Sequence, residues 1–143
     1  MATVIYNSFK KKIMDGSIDL DTDTVKASFH TSSYTPDQDS HDFFDDATNE
    51  VSSSGSYTAG AAGGVALANK AVTADNTDNE GVFDADDVQV TSFTGTFQWI
   101  VLRKDTGTAA TSPLICAIDT TSTAVSGGTL NVAWNAEGII NLT

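Results

Sequence analysis

Residues 96–104 read Thr96-Phe97-Gln98-Trp99-Ile100-Val101-Leu102-Arg103-Lys104. Phe97, Trp99 and Val101 fall at alternate positions, which sends them to one face of a β-strand. Working outward, further short strands are expected near residues 67–74, 81–83, 87–93, 114–119, 129–134 and 139–142. Breakers separate them: Asp75-Asn76-Thr77-Asp78-Asn79, Gly95, Asp105-Thr106-Gly107, Ser126-Gly127-Gly128 and Glu137-Gly138. Upstream, residues 24–31 alternate as well, with Val25, Ala27 and Phe29 on one face. No long helical pattern interrupts the series, so βαβ units are not expected. Short strands with regular turns predict a mainly β chain, an antiparallel β-sandwich or barrel-like domain.

One short N-terminal helix precedes the strands, over residues 6–14. Ile5, Phe9 and Ile13 fall at helical spacing with Tyr6 and Met14 on the flank, and Lys10, Lys11 and Lys12 place positive charge on the last turns. Gly16 is the expected stop. So short an amphipathic helix needs a surface to lie on: a sheet of its own domain or, alternatively, a neighbouring subunit. Farther on, Thr35-Pro36-Asp37 opens a turn into an acidic segment around Phe43-Phe44. There Ser40 is the candidate cap of one helical turn and a phenylalanine its anchor. Residues 52–64, rich in Ser, Gly and Ala around Tyr57, read as a long, soft loop. Neither a fixed-period repeat nor a break in composition divides residues 1–143, so one domain is expected.

The chain has 143 residues, 40% of them hydrophobic, enough for one core. Its net charge is −12, and unevenly spread: from Ile13 onward four basic residues face nineteen acidic ones, or −15. Such a surface repels phosphate, so neither nucleic acid nor an anionic membrane is an expected partner. Cys116 is the only cysteine, which rules out an internal disulfide, and its apolar neighbours mark it as a small core residue. Val4-Ile5-Tyr6 is too short for a signal peptide and no run is long enough to span a membrane, so a protein made and kept in a cytosol is expected.

Candidate chemistry is sparse. Asp19, Asp21 and Asp23 alternate as in a calcium loop, but Thr24 stands where the sharp turn wants glycine and His30 where a bidentate glutamate belongs. Asp105-Thr106-Gly107 matches the aspartic-protease tripeptide. A single copy would need a symmetric dimer, and a hairpin turn explains it as well. His30 is expected to point to solvent opposite Phe29, and His41 lies among carboxylates. No nucleophile elbow, phosphate loop or paired-cysteine site is present, so neither enzymatic activity nor a cofactor is expected. Trp99 and Trp134 sit in apolar strand patterns and are expected in the core, with sugar stacking as the alternative.

The run Asp15-Gly16-Ser17-Ile18-Asp19-Leu20 and residues 21–27 and 31–37 resemble a family of small tailed-bacteriophage virion structural proteins. The likeness continues through His41-Asp42-Phe43-Phe44, Thr48-Asn49-Glu50-Val51, Tyr57-Thr58-Ala59-Gly60, residues 82–88, Lys104-Asp105-Thr106-Gly107, residues 112–115 and 118–119, and Trp134-Asn135. It covers almost the whole chain and departs at Ala61-Ala62-Gly63-Gly64-Val65-Ala66. The resemblance implies a protein similar to capsid decoration (cement) proteins, which clamp neighbouring major capsid proteins on the outer shell. A tail or head-fibre module that recognises host-surface glycans is the alternative. Charge favours the outer surface, since an inner position would set −15 against packaged DNA. On this reading the partner is the major capsid protein and the chain is a homo-oligomer, a trimer at local three-fold positions. The candidate contacts are Tyr6, Phe9, Lys10, Lys11 and Lys12 of the helix and Tyr57 of the loop.

Overall fold

A computed structural model describes residues 3–143. In chain order its elements are β1 (Thr3–Ile5), α1 (Asn7–Met14), β2 (Val25–His30), β3 (Val65–Ala66), β4 (Ala71–Asp75), β5 (Glu80–Asp84), β6 (Val88–Lys104), β7 (Leu114–Val132) and β8 (Ile140–Leu142). Single 3₁₀ turns lie at Phe44–Asp46 and Ala109–Thr111. All pairings are antiparallel. One sheet has the order β1-β7-β6-β2-β3 and the other β4-β5-β8. The fold is therefore mainly β with one short N-terminal helix, consistent with a sandwich.

The expected breakers at Gly95 and Ser126-Gly127-Gly128 do not end strands. β6 and β7 run through them as one long hairpin that absorbs its irregularities as bulges, with register shifts between Val90 and Phe93, Phe93 and Thr94, and Phe97 and Trp99. A bulge survives when the displaced backbone finds other partners. Gly127 N–H, out of the ladder, donates to Thr94 Oγ1 at 2.8 Å, and Thr120 Oγ1 donates to Gln98 O at 2.9 Å. Residues 67–74, expected as one strand, are split. Leu67 N–H bonds Val25 O, Leu67 turns into the core, and the chain restarts at β4 in the other sheet.

Val25, Ala27 and Phe29 of β2 share a face with Ile100 and Leu102, their partners on β6. Phe29 anchors an aromatic cluster, its ring centroid 4.9 Å from Phe97, 5.0 Å from Tyr57 and 5.7 Å from Phe93. The opposite face is buried as well, which corrects the expectation for His30. Tyr34 and Phe44 fold over it, their centroids 5.3 and 6.0 Å from the imidazole. The turn that carries Phe44 is capped by Asp46, not Ser40: its carboxylate accepts the N–H groups of Asp42 at 2.9 Å and Phe43 at 3.1 Å. α1 lies on its own domain with Phe9 fully buried, and Gly16, at φ +76°, ends it in the left-handed region that favours glycine.

Candidate functional site

The expected contact residues of α1 divide by exposure. Tyr6 and Phe9 are core residues with no surface to offer a partner, which corrects their assignment. Tyr6 Oη lies 2.7 Å from Tyr34 Oη, and Tyr34 Oη lies 3.1 Å from His41 Nδ1. Burial first, then that bond to Tyr34, holds the Tyr6 phenol far above its ordinary pKa. The three lysines stay at the surface. Lys11 is exposed, Lys10 donates to Asn7 Oδ1 at 3.2 Å, and Lys12 Nζ sits 5.0 Å from the centroid of the Phe43 ring. Beside them Met14 is 81% exposed, the most exposed large hydrophobic residue described.

Tyr57 is likewise a core residue, only 1% exposed, and the loop around it is not soft. Its hydroxyl accepts Phe29 N–H at 3.2 Å and donates to Glu50 Oε1 at 2.6 Å. Phe29 O meanwhile accepts Val51 N–H at 2.8 Å. The phenol thus takes the place of a strand partner on the side of β2 away from β6. Ser54 and Ser56 pin the loop to β6: their hydroxyls accept Thr94 N–H at 2.8 Å and Thr91 N–H at 2.9 Å. Gly55 lies so close to β6 that a Cβ there would overlap Thr91 O, and its φ is +58°. Residues 60–63 have a structural task. Gly60, Ala61 and Gly63 offer their carbonyls to Arg103 Nη2 at 3.2, 3.4 and 2.9 Å. The guanidinium carbon sits 3.7 Å from the Phe44 ring centroid. Arg103 is fully buried, and its Nε and Nη1 lack hydrogen-bond partners. Burial pushes its pKa below the usual value, partly offset by the charges of Glu50 and Asp105. Sequence reasoning missed Arg103, and its alternation with Trp99 and Val101 is the one signal that could have found it.

The residues weighed for chemistry carry structural bonds. Asp19 Oδ1 accepts the N–H groups of Asp21 and Thr22, and Asp23 pairs with Lys104 at 2.8 Å. Asp105 pairs with Lys26 at 2.8 Å and accepts Gly107 N–H at 3.1 Å, closing a turn. Among the described residues no group of three or more His, Cys, Asp and Glu could hold a metal ion. Cys116 is fully buried, and burial pushes its thiol up to about 12. His30 Nδ1 lies 2.8 Å from Thr48 O, so its proton sits there, and Nε2 faces Ser28 Oγ at 3.0 Å. Burial is the main cause that lowers the His30 pKa.

Trp99 and Trp134, expected in the core, are half-buried at its margin. Trp134 Nε1 donates to Asp86 O at 2.9 Å, and its indole borders a groove of about 500 Å³. Ile5, Ile100, Ile118 and Leu130 of the five-stranded sheet line this groove, as do Ile140 of the other sheet and the adjacent Ile139, with Asn131, Asn135 and Asn141 among the polar groups. β4 lies apart from all this. Its residues 71–74 are exposed on both faces, Val72 by 54%. No family model matches the chain, and no curated protein or solved structure matches it either.

Proposed function

We propose that this chain is a capsid decoration protein of a tailed bacteriophage, which binds the outer surface of the shell and stabilises contacts between major capsid proteins. The observation that carries the reading is the patch on α1: three lysines beside an 81% exposed Met14, on a chain of net charge −12. An exposed, polarisable thioether on the same short helix as Lys10 and Lys11 suits a partner surface both apolar and acidic. The resemblance to virion proteins supplies the setting, and the acidic remainder favours a face turned from packaged DNA. Made in the host cytoplasm, the protein joins the capsid as a homo-oligomer, a trimer at three-fold positions. Several patches then engage at once and raise the avidity. Each bound copy favours the assembled shell by mass action.

Removing residues 1–12 would not test this, because it deletes β1 together with buried Tyr6 and Phe9. The surface variant Lys10→Ser, Lys11→Ser, Lys12→Ser, Met14→Ser leaves the core intact. Its co-sedimentation with capsids lacking the protein is expected to weaken at least about tenfold. Unchanged co-sedimentation would refute the role of α1.

One observation favours a second reading, a tail or head-fibre module that recognises host-surface glycans. Trp134 and three asparagines share a groove, a combination of aromatic ring and amides suited to sugars. A glycan array decides it. Binding that disappears in a folded Trp134→Ala variant would support this reading over decoration, and an empty array would remove it.

A further inference from the structure

The two sheets do not close on each other along β7 and β8. Among the described residues β1 pairs with β7 as far as Ile118, and beyond it no strand pairs with the outer edge of β7. β8 has β5 on one side and, among the described residues, nothing paired on the other. Both edges border the groove, and buried Ile100, Ile118 and Ile140 line it, so it opens onto the core. Bulges at residues 120–122 and at Gly127 divide this edge, and its regular stretches 123–126 and 128–132 are templates for another strand; lysine or proline, which commonly blunt such edges, would prevent that. Residues 119–132 contain neither.

We propose that this groove accepts an extended, apolar segment of a partner protein bearing lysine or arginine, added as a strand on the edge of β7 or β8. The inference does not depend on where in a virion the chain sits. Free backbone groups along both edges call for an extended segment, and the isoleucines take its alternate side chains. Charge fixes the rest. Among the described residues Glu137 is the only charged one lining the groove, and the adjoining cleft adds Asp75 and Asp84 with no lysine or arginine. A second copy is the poorer occupant. It brings another net −12, and its one strand exposed on both faces, β4, leads into Asp75 and Asp78. A sugar is poorer too, because aliphatic side chains outnumber the single indole.

The probe is a blocked nonapeptide alternating valine and lysine, titrated into isotope-labelled protein near physiological salt and followed by NMR. Expected is a dissociation constant of about 0.1 mM or tighter, with shifts concentrated in residues 119–132 and 139–142. A peptide of equal charge with proline at two valine positions cannot donate those hydrogen bonds and should bind at least about tenfold more weakly. Thr123→Trp, or Thr3→Trp if the first does not fold, should fill the groove and weaken binding by a similar factor. The proposal is overturned if the two peptides bind alike, if a valine–glutamate peptide binds as well, or if the shifts fall elsewhere. Groove-filling without effect would also overturn it, as would self-association or an oligosaccharide that claims these residues in place of the peptide.

Discussion

Replacing Tyr57 with Phe removes a single oxygen and leaves the ring against Phe29 and Phe93. Two bonds go with it. Phe29 N–H, buried and 3.2 Å from the hydroxyl, is left without an acceptor, at a cost of about 1–3 kcal/mol. Glu50 loses a 2.6 Å donor but keeps Gly60 N–H at 2.9 Å and is half-buried, so about 1 kcal/mol is appropriate there. The sum is about 2–4 kcal/mol, which at this chain length lowers Tm by roughly 5–15 °C. Urea denaturation followed by far-UV circular dichroism measures it, with Glu50→Gln and the double variant completing a cycle. A loss under about 0.5 kcal/mol would mean that the hydroxyl does not stand in for a strand partner, and that residues 52–64 are as soft as their composition suggests.

Gly55→Ala should cost about 2–4 kcal/mol in the same assay, about 1 from the positive φ and the rest from bonds to β6 that break as the loop retreats from Thr91; a neutral result would show that the loop does not rest there. The lowered His30 pKa means that the unfolded chain takes up this proton first as pH falls below about 6.5. Its contribution is therefore constant above that pH and declines below it, down through the folded-state pKa. The difference in Tm between the wild type and His30→Gln should then change between pH 7.5 and 5, and a constant difference contradicts the burial. Cys116, with its thiol pushed up to about 12, should resist iodoacetamide in the native protein at pH 8 and react fully in guanidinium; rapid native labelling would contradict its place in the core.

The alternation of Phe97, Trp99 and Val101, and of Val25, Ala27 and Phe29, was enough to read a mainly β chain, because period 2 is a local property. Strand ends were not legible in the same way. Gly95 and Ser126-Gly127-Gly128 look like breakers, and they remain inside β6 and β7 because Thr94 satisfies the displaced Gly127 N–H across the hairpin. His30 shows why alternation alone cannot assign exposure: the cover comes from Tyr34 and Phe44, on a segment with no regular pattern. The candidate contacts split for a related reason. Lysines declare their exposure through the cost of burying charge, whereas Tyr6, Phe9 and Tyr57 suit an interface and a core equally well. The open groove between β7 and β8 had no sequence signature, since it depends on how the two sheets meet and not on any local pattern.

Electron cryo-microscopy of intact particles tests the decoration reading most directly, with the protein located by difference from particles lacking it. The account predicts density on the outer shell at local three-fold positions, with the α1 lysines and Met14 facing the major capsid protein. Density confined to the tail or head fibres, or no difference between the two particles, would contradict it.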